Sequence, residues 1–98
     1  MPNLSDHSLV VATRSQVSAD LAGETAILNL SDGVYYGLDA VGSHIWELLQ
    51  TPTSVSSIRE TILREYDVTP EECDEDLRSL LRALLDHGLI EVCDAVAA

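Results

Sequence analysis

Histidines and cysteines are the residues of this sequence whose chemistry could support catalysis or metal binding. The three histidines, His7, His44 and His87, are far apart, and none has a nucleophile at a spacing that would organise a catalytic triad. Cys73 and Cys93 belong to no C-x-x-C pair and have no neighbouring histidine pair, so the spacing of a zinc site is absent. Two such cysteines are more often small buried hydrophobic residues than a disulfide in a cytosolic chain. The sequence therefore predicts no catalytic residue, no metal site and no cofactor.

Acidic residues are abundant, but their positions favour structural roles. Those at positions 71, 72 and 74–76 fall in the early turns of a predicted helix, where negative charge stabilises the helix macrodipole. No glycine-rich phosphate-binding loop is present. The segment GLDA at 37–40 is similar to the prosthetic-group site of acyl carrier proteins, but that chemistry needs a serine where Ala40 stands. These residues indicate a protein that is not an enzyme.

The charge balance limits the class of partner. Five arginines and no lysine stand against seventeen acidic residues in 98 positions, which gives a net charge of -12. Such a surface repels phosphate backbones, so nucleic acid is an unsuitable ligand. No apolar run approaches the roughly 20 residues that span a bilayer, and the N-terminus lacks the pattern of a signal peptide. We therefore expect a cytoplasmic protein that does not insert into a membrane.

Residues 28–49 are the segment around which the other elements are arranged. Asp32-Gly33 lies between two apolar runs and predicts a two-residue hairpin turn, which would place Leu30 opposite Tyr35. Both faces of the hairpin then carry large apolar groups. One face holds Leu28, Leu30 and Tyr35, and the other holds Ile27, Tyr36 and Leu38. Because a small sheet normally has one polar face, the second apolar face predicts a covering partner or a binding edge.

The remaining periodicities predict three strands followed by three helices. Alternation over 16–21, 25–30 and 34–38 favours an antiparallel meander, and 9–12 is either an edge strand or an extended segment. The helices are predicted at 40–49, after an N-cap at Ser54, and from Thr69-Pro70 to a stop at Gly88. We expect one domain at 9–93 between flexible tails at 1–8 and 94–98. The fold class is α+β, a winged helix-turn-helix-like arrangement.

A winged helix commonly reads DNA through a basic recognition helix. The third predicted helix carries six acidic residues, at positions 71, 72, 74, 75, 76 and 86, against Arg78 and Arg82. This surface is unsuitable for a phosphate backbone. The scaffold can instead capture a peptide at an exposed sheet edge by β-strand addition, and 34–38 is the candidate edge. An acidic winged-helix regulator remains the alternative of another class.

Three segments of the sequence resemble PqqD-like proteins. They are VYYGLDAVGSHIWELL at 34–49, YDVTPE at 66–71 and LLDHGLI at 84–90, within a similarity that spans roughly residues 17–92. PqqD-like proteins are peptide-recognition elements of pathways that modify ribosomally made peptides. A chain of this length with this central segment is most similar to the leader-binding subunit of split lasso-peptide maturation systems. A peptide chaperone of pyrroloquinoline quinone synthesis, or of another such pathway, is the alternative within the family.

The resemblance implies a non-catalytic adaptor that binds the leader of a precursor peptide. The leader would add as a strand at 34–38 and be presented to a leader peptidase of the transglutaminase-like cysteine protease type, with a cyclase as a further partner. The peptide-binding residues that it implies are Val34, Tyr35, Tyr36, Gly37 and Leu38 on the strand, and Asp74, Leu77, Arg78 and Leu81 on the third helix. Core packing is the alternative role for Leu77 and Leu81. Position 39 departs from the family in being Asp where Asn is common, and both residue types cap helices.

Overall fold

Six strands and three helices form from residues 4–93, the part of the chain that the computed structural model describes. In chain order they are β1 (Leu9–Ala12), β2 (Gln16–Leu21), β3 (Glu24–Asn29), β4 (Tyr35–Leu38), α1 (Ala40–Leu48), β5 (Thr53–Ser54), α2 (Val55–Glu65), α3 (Pro70–Asp86) and β6 (Ile90–Cys93). The predicted α+β class, with an antiparallel three-stranded meander followed by three helices, is confirmed. No helix in this part of the chain is both long and apolar enough to span a bilayer.

A second sheet accompanies the meander and was not foreseen from the sequence. The meander has the order β2-β3-β4, whereas β1 is the central strand of a separate antiparallel sheet in the order β5-β1-β6. In that sheet Val10 lies opposite Thr53 on one side and Val92 on the other. The second sheet therefore joins the two ends of the described chain.

The hairpin between β3 and β4 has a longer loop than the Asp32-Gly33 pair predicts. Tyr36 lies opposite Ile27, and Tyr35 lies opposite Leu28 rather than opposite Leu30, so the predicted register is wrong by two residues. The Gly33 amide donates to the Asn29 carbonyl at 2.8 Å, which closes a loop of residues 30–33. Because side chains alternate between faces with period two, this even shift leaves every strand residue on its predicted face.

Each helix begins at the cap that the sequence predicts. The side chains of Asp39, Ser54 and Thr69 accept hydrogen bonds from the amide three residues later, at 2.8, 3.1 and 3.2 Å. These bonds satisfy amides that have no partner inside the helix. Only a single residue separates the end of β4 from the start of α1, because the Asp39 cap lies directly between them.

The core lies between the meander and the helices. Its buried residues come from every helix and from both sheets, and the largest fully buried side chains are Ile27, Leu49, Ile58, Leu77, Leu81, Leu89, Val10 and Val55. A fully buried side chain of this kind stabilises the fold by about 1.5–3 kcal/mol relative to leaving it exposed. Of the helices, α1 packs directly against β3 and β4, and the core formed with α2 and α3 lies on this same side of the meander. The opposite face is left to solvent.

The N-terminal segment from residue 4 to residue 8 is part of the folded domain, although a flexible tail was expected over residues 1–8. Leu4 is buried, and the carbonyl groups of Asp6 and Ser8 accept hydrogen bonds from the first amides of α2. Residues 1–3 of that expected tail, and the whole of the one expected at 94–98, lie outside the described residues.

Candidate peptide-binding site

Strand β4 forms an open edge of the meander, because β3 pairs with it on one side only. The Asn29 amide donates to the Val34 carbonyl at 3.0 Å, which sets the phase of the β3–β4 ladder. In an antiparallel pair the bonded residues alternate, so the backbone groups of Tyr36 point to β3 and those of Tyr35 and Gly37 point outward. The N–H and C=O groups of these two residues are therefore available to an added strand.

A groove with a cavity volume of about 450 Å³ lies beside this edge. Gly37 and Leu38 of β4 line one wall. The residues of α3 that line the other wall share one stripe at helical spacing, and they are Cys73, Asp76, Leu77 and Leu80. Val41 and Ile45 of α1 form part of the floor. The groove is mainly apolar, and Asp39 and Asp76 supply negative charge at its lining.

The four helix residues expected to contact a peptide do not lie together in this groove. Leu77 lies at the groove lining but is itself a core residue with only 2% of its surface exposed, and Leu81 is fully buried in the core. Asp74 and Arg78 lie on a neighbouring stripe of α3, where they bond to α2 and to the N-terminal segment. One helical residue corresponds to about 100°, so counting from Asp74 instead of Cys73 rotates the selected face away from β4. Three groove residues of α3 were not among those expected, namely Cys73, Asp76 and Leu80. The i+7 spacing of Leu80 from Cys73 is a signal that could have identified the pair.

Asp74 and Arg78 belong to an ion-pair cluster with Asp6 and Arg59. Arg59 Nη1 lies 2.7 Å from Asp74 Oδ1 and 2.9 Å from Asp6 Oδ1, and Arg78 Nη2 lies 2.6 Å from Asp6 Oδ1. Arg78 also donates to Asp74 through Nε at 3.1 Å and to the carbonyl of Leu4. The cluster therefore fastens the N-terminal segment to α2 and α3.

Lowering the pH should weaken the attachment of the N-terminal segment to α2 and α3, because it protonates Asp6. The hydrogen bond from Arg59 holds the pKa of Asp6 below its ordinary value of 3.8, and the charges of Arg59 and Arg78 add to the effect. Because the pKa of Asp6 is lower in the folded protein than in the unfolded chain, the ionised carboxylate stabilises the fold at pH values above the unfolded-state pKa. This stabilisation is lost as the pH falls through the folded-state pKa. We expect Asp6→Asn to remove this part of the acid sensitivity, measured as the denaturation midpoint between pH 6 and pH 3. An equal acid-induced loss in the variant and the wild type would contradict this role.

Tyr36 and His87 connect β4 to the end of α3. The Tyr36 hydroxyl lies 2.8 Å from His87 Nδ1, and the ring centroids are 4.5 Å apart. The Asn29 side chain donates to the His87 carbonyl at 2.7 Å. Burial is the main cause that raises the pKa of Tyr36, and the charge of Asp32 adds to it. These bonds hold β3 and β4 beside the C-terminal end of α3, a role that the sequence did not indicate for His87.

The described residues show no group of three or more His, Cys, Asp or Glu side chains close enough to hold a metal ion. The arrangement can supply main-chain hydrogen bonds, apolar contact and negative charge to a ligand that lies along β4. These are the interactions by which a sheet edge and its neighbouring pockets bind an extended peptide.

Comparison with known proteins assigns the chain to a family. The family of coenzyme PQQ synthesis protein D (PqqD) matches residues 24–90, which include the whole of β3, β4 and the three helices. This chain belongs to the PqqD family.

Two solved structures share the fold. One, described as TbiB1 in complex with the TbiA(beta) leader peptide, is 41% identical with a TM-score of 0.77, and the match covers 83% of this chain and 94% of that one. The other, described as lasso peptide synthetase B1 complexed with the leader peptide, is 18% identical with a TM-score of 0.74, over 84% and 96%. No curated protein matches the chain.

Proposed function

We propose that this protein is a non-catalytic adaptor that binds the leader region of a ribosomally made precursor peptide in lasso-peptide biosynthesis. The observation that carries the proposal is the open edge of β4 beside an apolar groove on α3. Both solved relatives are described as complexes with a leader peptide, and one is 41% identical to this chain. The leader adds as a further strand next to β4, and its side chains enter the groove.

Both the open edge of β4 and the apolar groove are needed to reach micromolar affinity. Main-chain hydrogen bonds to Tyr35 and Gly37 contribute about 0.5–1.5 kcal/mol each. Micromolar affinity needs about 8 kcal/mol, so edge pairing alone is too weak. Each large apolar side chain buried in the groove adds about 1.5–3 kcal/mol. One or two apolar leader residues against Val41 and Leu80, which are only partly buried in the lining, bring the total to the required range.

The binding residues proposed here differ from those that the sequence resemblance implies only on α3. The strand residues Val34, Tyr35, Tyr36, Gly37 and Leu38 remain in the proposal, and so does Leu77. Asp76 and Leu80 replace Asp74 and Arg78, because their side chains line the groove. Leu81 supports the site from the core. The negative charge of Asp39 and Asp76 favours a leader with a basic residue next to its apolar anchors.

The adaptor role implies partners that act on the bound precursor. We propose that residues 4–93 act as one domain, which holds the leader for a peptidase of the transglutaminase-like cysteine protease type and for a cyclase. Nucleic acid is not a proposed ligand. The six acidic residues of α3 would repel a phosphate backbone, and its Arg78 is bonded to Asp6 and Asp74.

A peptide chaperone of pyrroloquinoline quinone synthesis is the second candidate. The match to the PqqD family over residues 24–90 favours it. The two candidates bind different leaders, so a direct comparison of a lasso-peptide leader with a quinone-precursor leader separates them. Tighter binding of the quinone precursor would favour the second candidate.

Calorimetric titration with the leader of the lasso-peptide precursor from the same biosynthetic locus tests the proposal. We expect micromolar or tighter binding. A leader with N-methylated residues along its pairing segment should bind at least about tenfold more weakly, because each methyl group removes a donor to β4. A leader with the same number of N-methylated residues outside that segment is the control. Absence of binding, or equal binding of both modified leaders, would contradict strand addition.

A further inference from the structure

The face of the meander opposite the helices is apolar, and strand β2 is inverted relative to an ordinary half-buried strand. Ser18 lies opposite the fully buried Ile27 and accepts a hydrogen bond from Trp46 Nε1 at 3.1 Å, so the polar residues of β2 point toward the helices. Its apolar residues, Val17 and Leu21, therefore point outward. An amphipathic strand whose apolar side faces solvent indicates a surface that binds a partner.

This outer face extends across all three strands. Val17 lies opposite Leu28, and Leu28 lies opposite Tyr35, so the three side chains form one row from β2 to β4. Val17 is 52% exposed, Leu21 59% and Tyr35 70%. Scattered exposed apolar residues are normal, but a contiguous apolar patch marks an interaction site. The face is consequently a candidate docking surface of its own, separate from the groove on the other side of β4.

Charge and position indicate what covers this face. Glu24 lies opposite Leu21 on the outer side of the meander, whereas Asp20 has the parity of Ser18 and points toward the helices. The whole chain has a net charge of -12. Two copies placed face to face would repel each other, whereas a partner with cationic side chains around an apolar centre would be attracted. The face also continues to the open edge of β4, where Tyr35 belongs to both. A strand added at that edge would extend the face, so a partner docked on it lies beside the bound peptide.

We propose that the outer face, defined by Val17, Leu21, Leu28 and Tyr35, docks the enzyme that acts on the bound precursor, through an apolar patch bordered by basic residues. This inference rests on the proposed function, since it takes β4 as the site of the leader. The groove side of β4 holds the leader side chains, and the outer side presents the same strand to the enzyme. Leader capture and enzyme docking thus use opposite faces of one sheet.

The double variant Val17→Thr/Leu21→Thr tests this docking. Threonine retains β-branching and strand propensity but removes apolar surface. The matched control is Val92→Thr, an equally apolar exposed residue on β6 of the other sheet, 36% exposed. The probe is the purified leader peptidase encoded with the precursor. We expect the double variant to bind the peptidase about tenfold more weakly or worse, with unchanged leader affinity, and the control to match the wild type.

The outcomes separate the two proposals. If the wild type does not bind the leader, the proposed function fails. If it binds the leader, but the peptidase binds the double variant as tightly as the wild type or binds neither, only the docking surface is overturned. A wild-type dimer that the double variant dissociates would assign the face to a second copy and also overturn it. Should the double variant not fold, Leu21→Thr alone is judged by the same criteria.

The salt dependence of the association rate tests the proposed basic residues on the peptidase. Association that slows as the salt concentration rises supports them, and salt-independent association contradicts them.

Discussion

Gly37→Pro is expected to weaken leader binding by about 5- to 150-fold while the protein stays folded. The Gly37 N–H points outward from β4, so proline removes a donor that an added strand would use, and leaves a peptide carbonyl unpaired at a cost of about 1–3 kcal/mol. Edge strands tolerate proline where the amide faces solvent, and the extended conformation of Tyr36 in β4 is the one that a following proline requires. Calorimetry with the leader measures the affinity, and thermal unfolding verifies the fold.

Gly37→Ala is the control for this variant. A Cβ atom at position 37 meets no other atom within 4 Å, so alanine should be accommodated without displacing its neighbours. Alanine retains the N–H and should bind the leader within a few-fold of the wild type. If alanine and proline weaken binding equally, the loss comes from bulk at the edge, and the main-chain pairing proposed here is incorrect.

Leu81→Ala is expected to lower the free energy of unfolding by about 2–5 kcal/mol. The Leu81 side chain is 0% exposed and belongs to the core between α3 and the meander, so truncation removes buried apolar contact and leaves a cavity. Urea denaturation, compared at equal m-values, measures the loss. A destabilisation below about 1 kcal/mol would show that the core at this position is not closely packed.

Leu80→Ala, in contrast to Leu81→Ala, should affect leader binding more than stability. Leu80 is partly buried and lines the groove, so its truncation should weaken leader binding by more than it lowers stability. Leu85→Ala is the matched control, since Leu85 is a partly buried leucine of the same helix that does not line the groove. Equal leader affinity in the two variants would place the apolar anchors elsewhere than on the α3 wall.

Local chemistry in the sequence was sufficient to predict the helices, their order and their first residues. Ser54 and Thr69 cap the helices at which they were expected, because an N-cap bond joins residues only three positions apart. The faces of β3 and β4 were also predictable. Ile27 and Tyr36 share the core face despite a register error of two residues, since alternation depends only on parity.

The second sheet and the N-terminal anchor required tertiary structure. Val10 pairs with Val92, and Asp6 pairs with Arg59, across separations that no local pattern encodes. For the same reason the local pattern around Asp6 predicts a flexible tail, whereas Asp6 is a member of an ion-pair cluster.

The composition and the central segment of this sequence, by themselves, determined that the protein is acidic, has no recognisable catalytic pattern and resembles peptide-recognition proteins of the PqqD family. Only the tertiary structure decided which side of α3 faces β4. That choice depends on how α1 and α2 pack against α3, and a rotation of one residue exchanges Asp74 for Cys73 at the groove wall. A helix with apolar residues on more than one stripe leaves this rotation open in the sequence, and the packing of the core selects one solution.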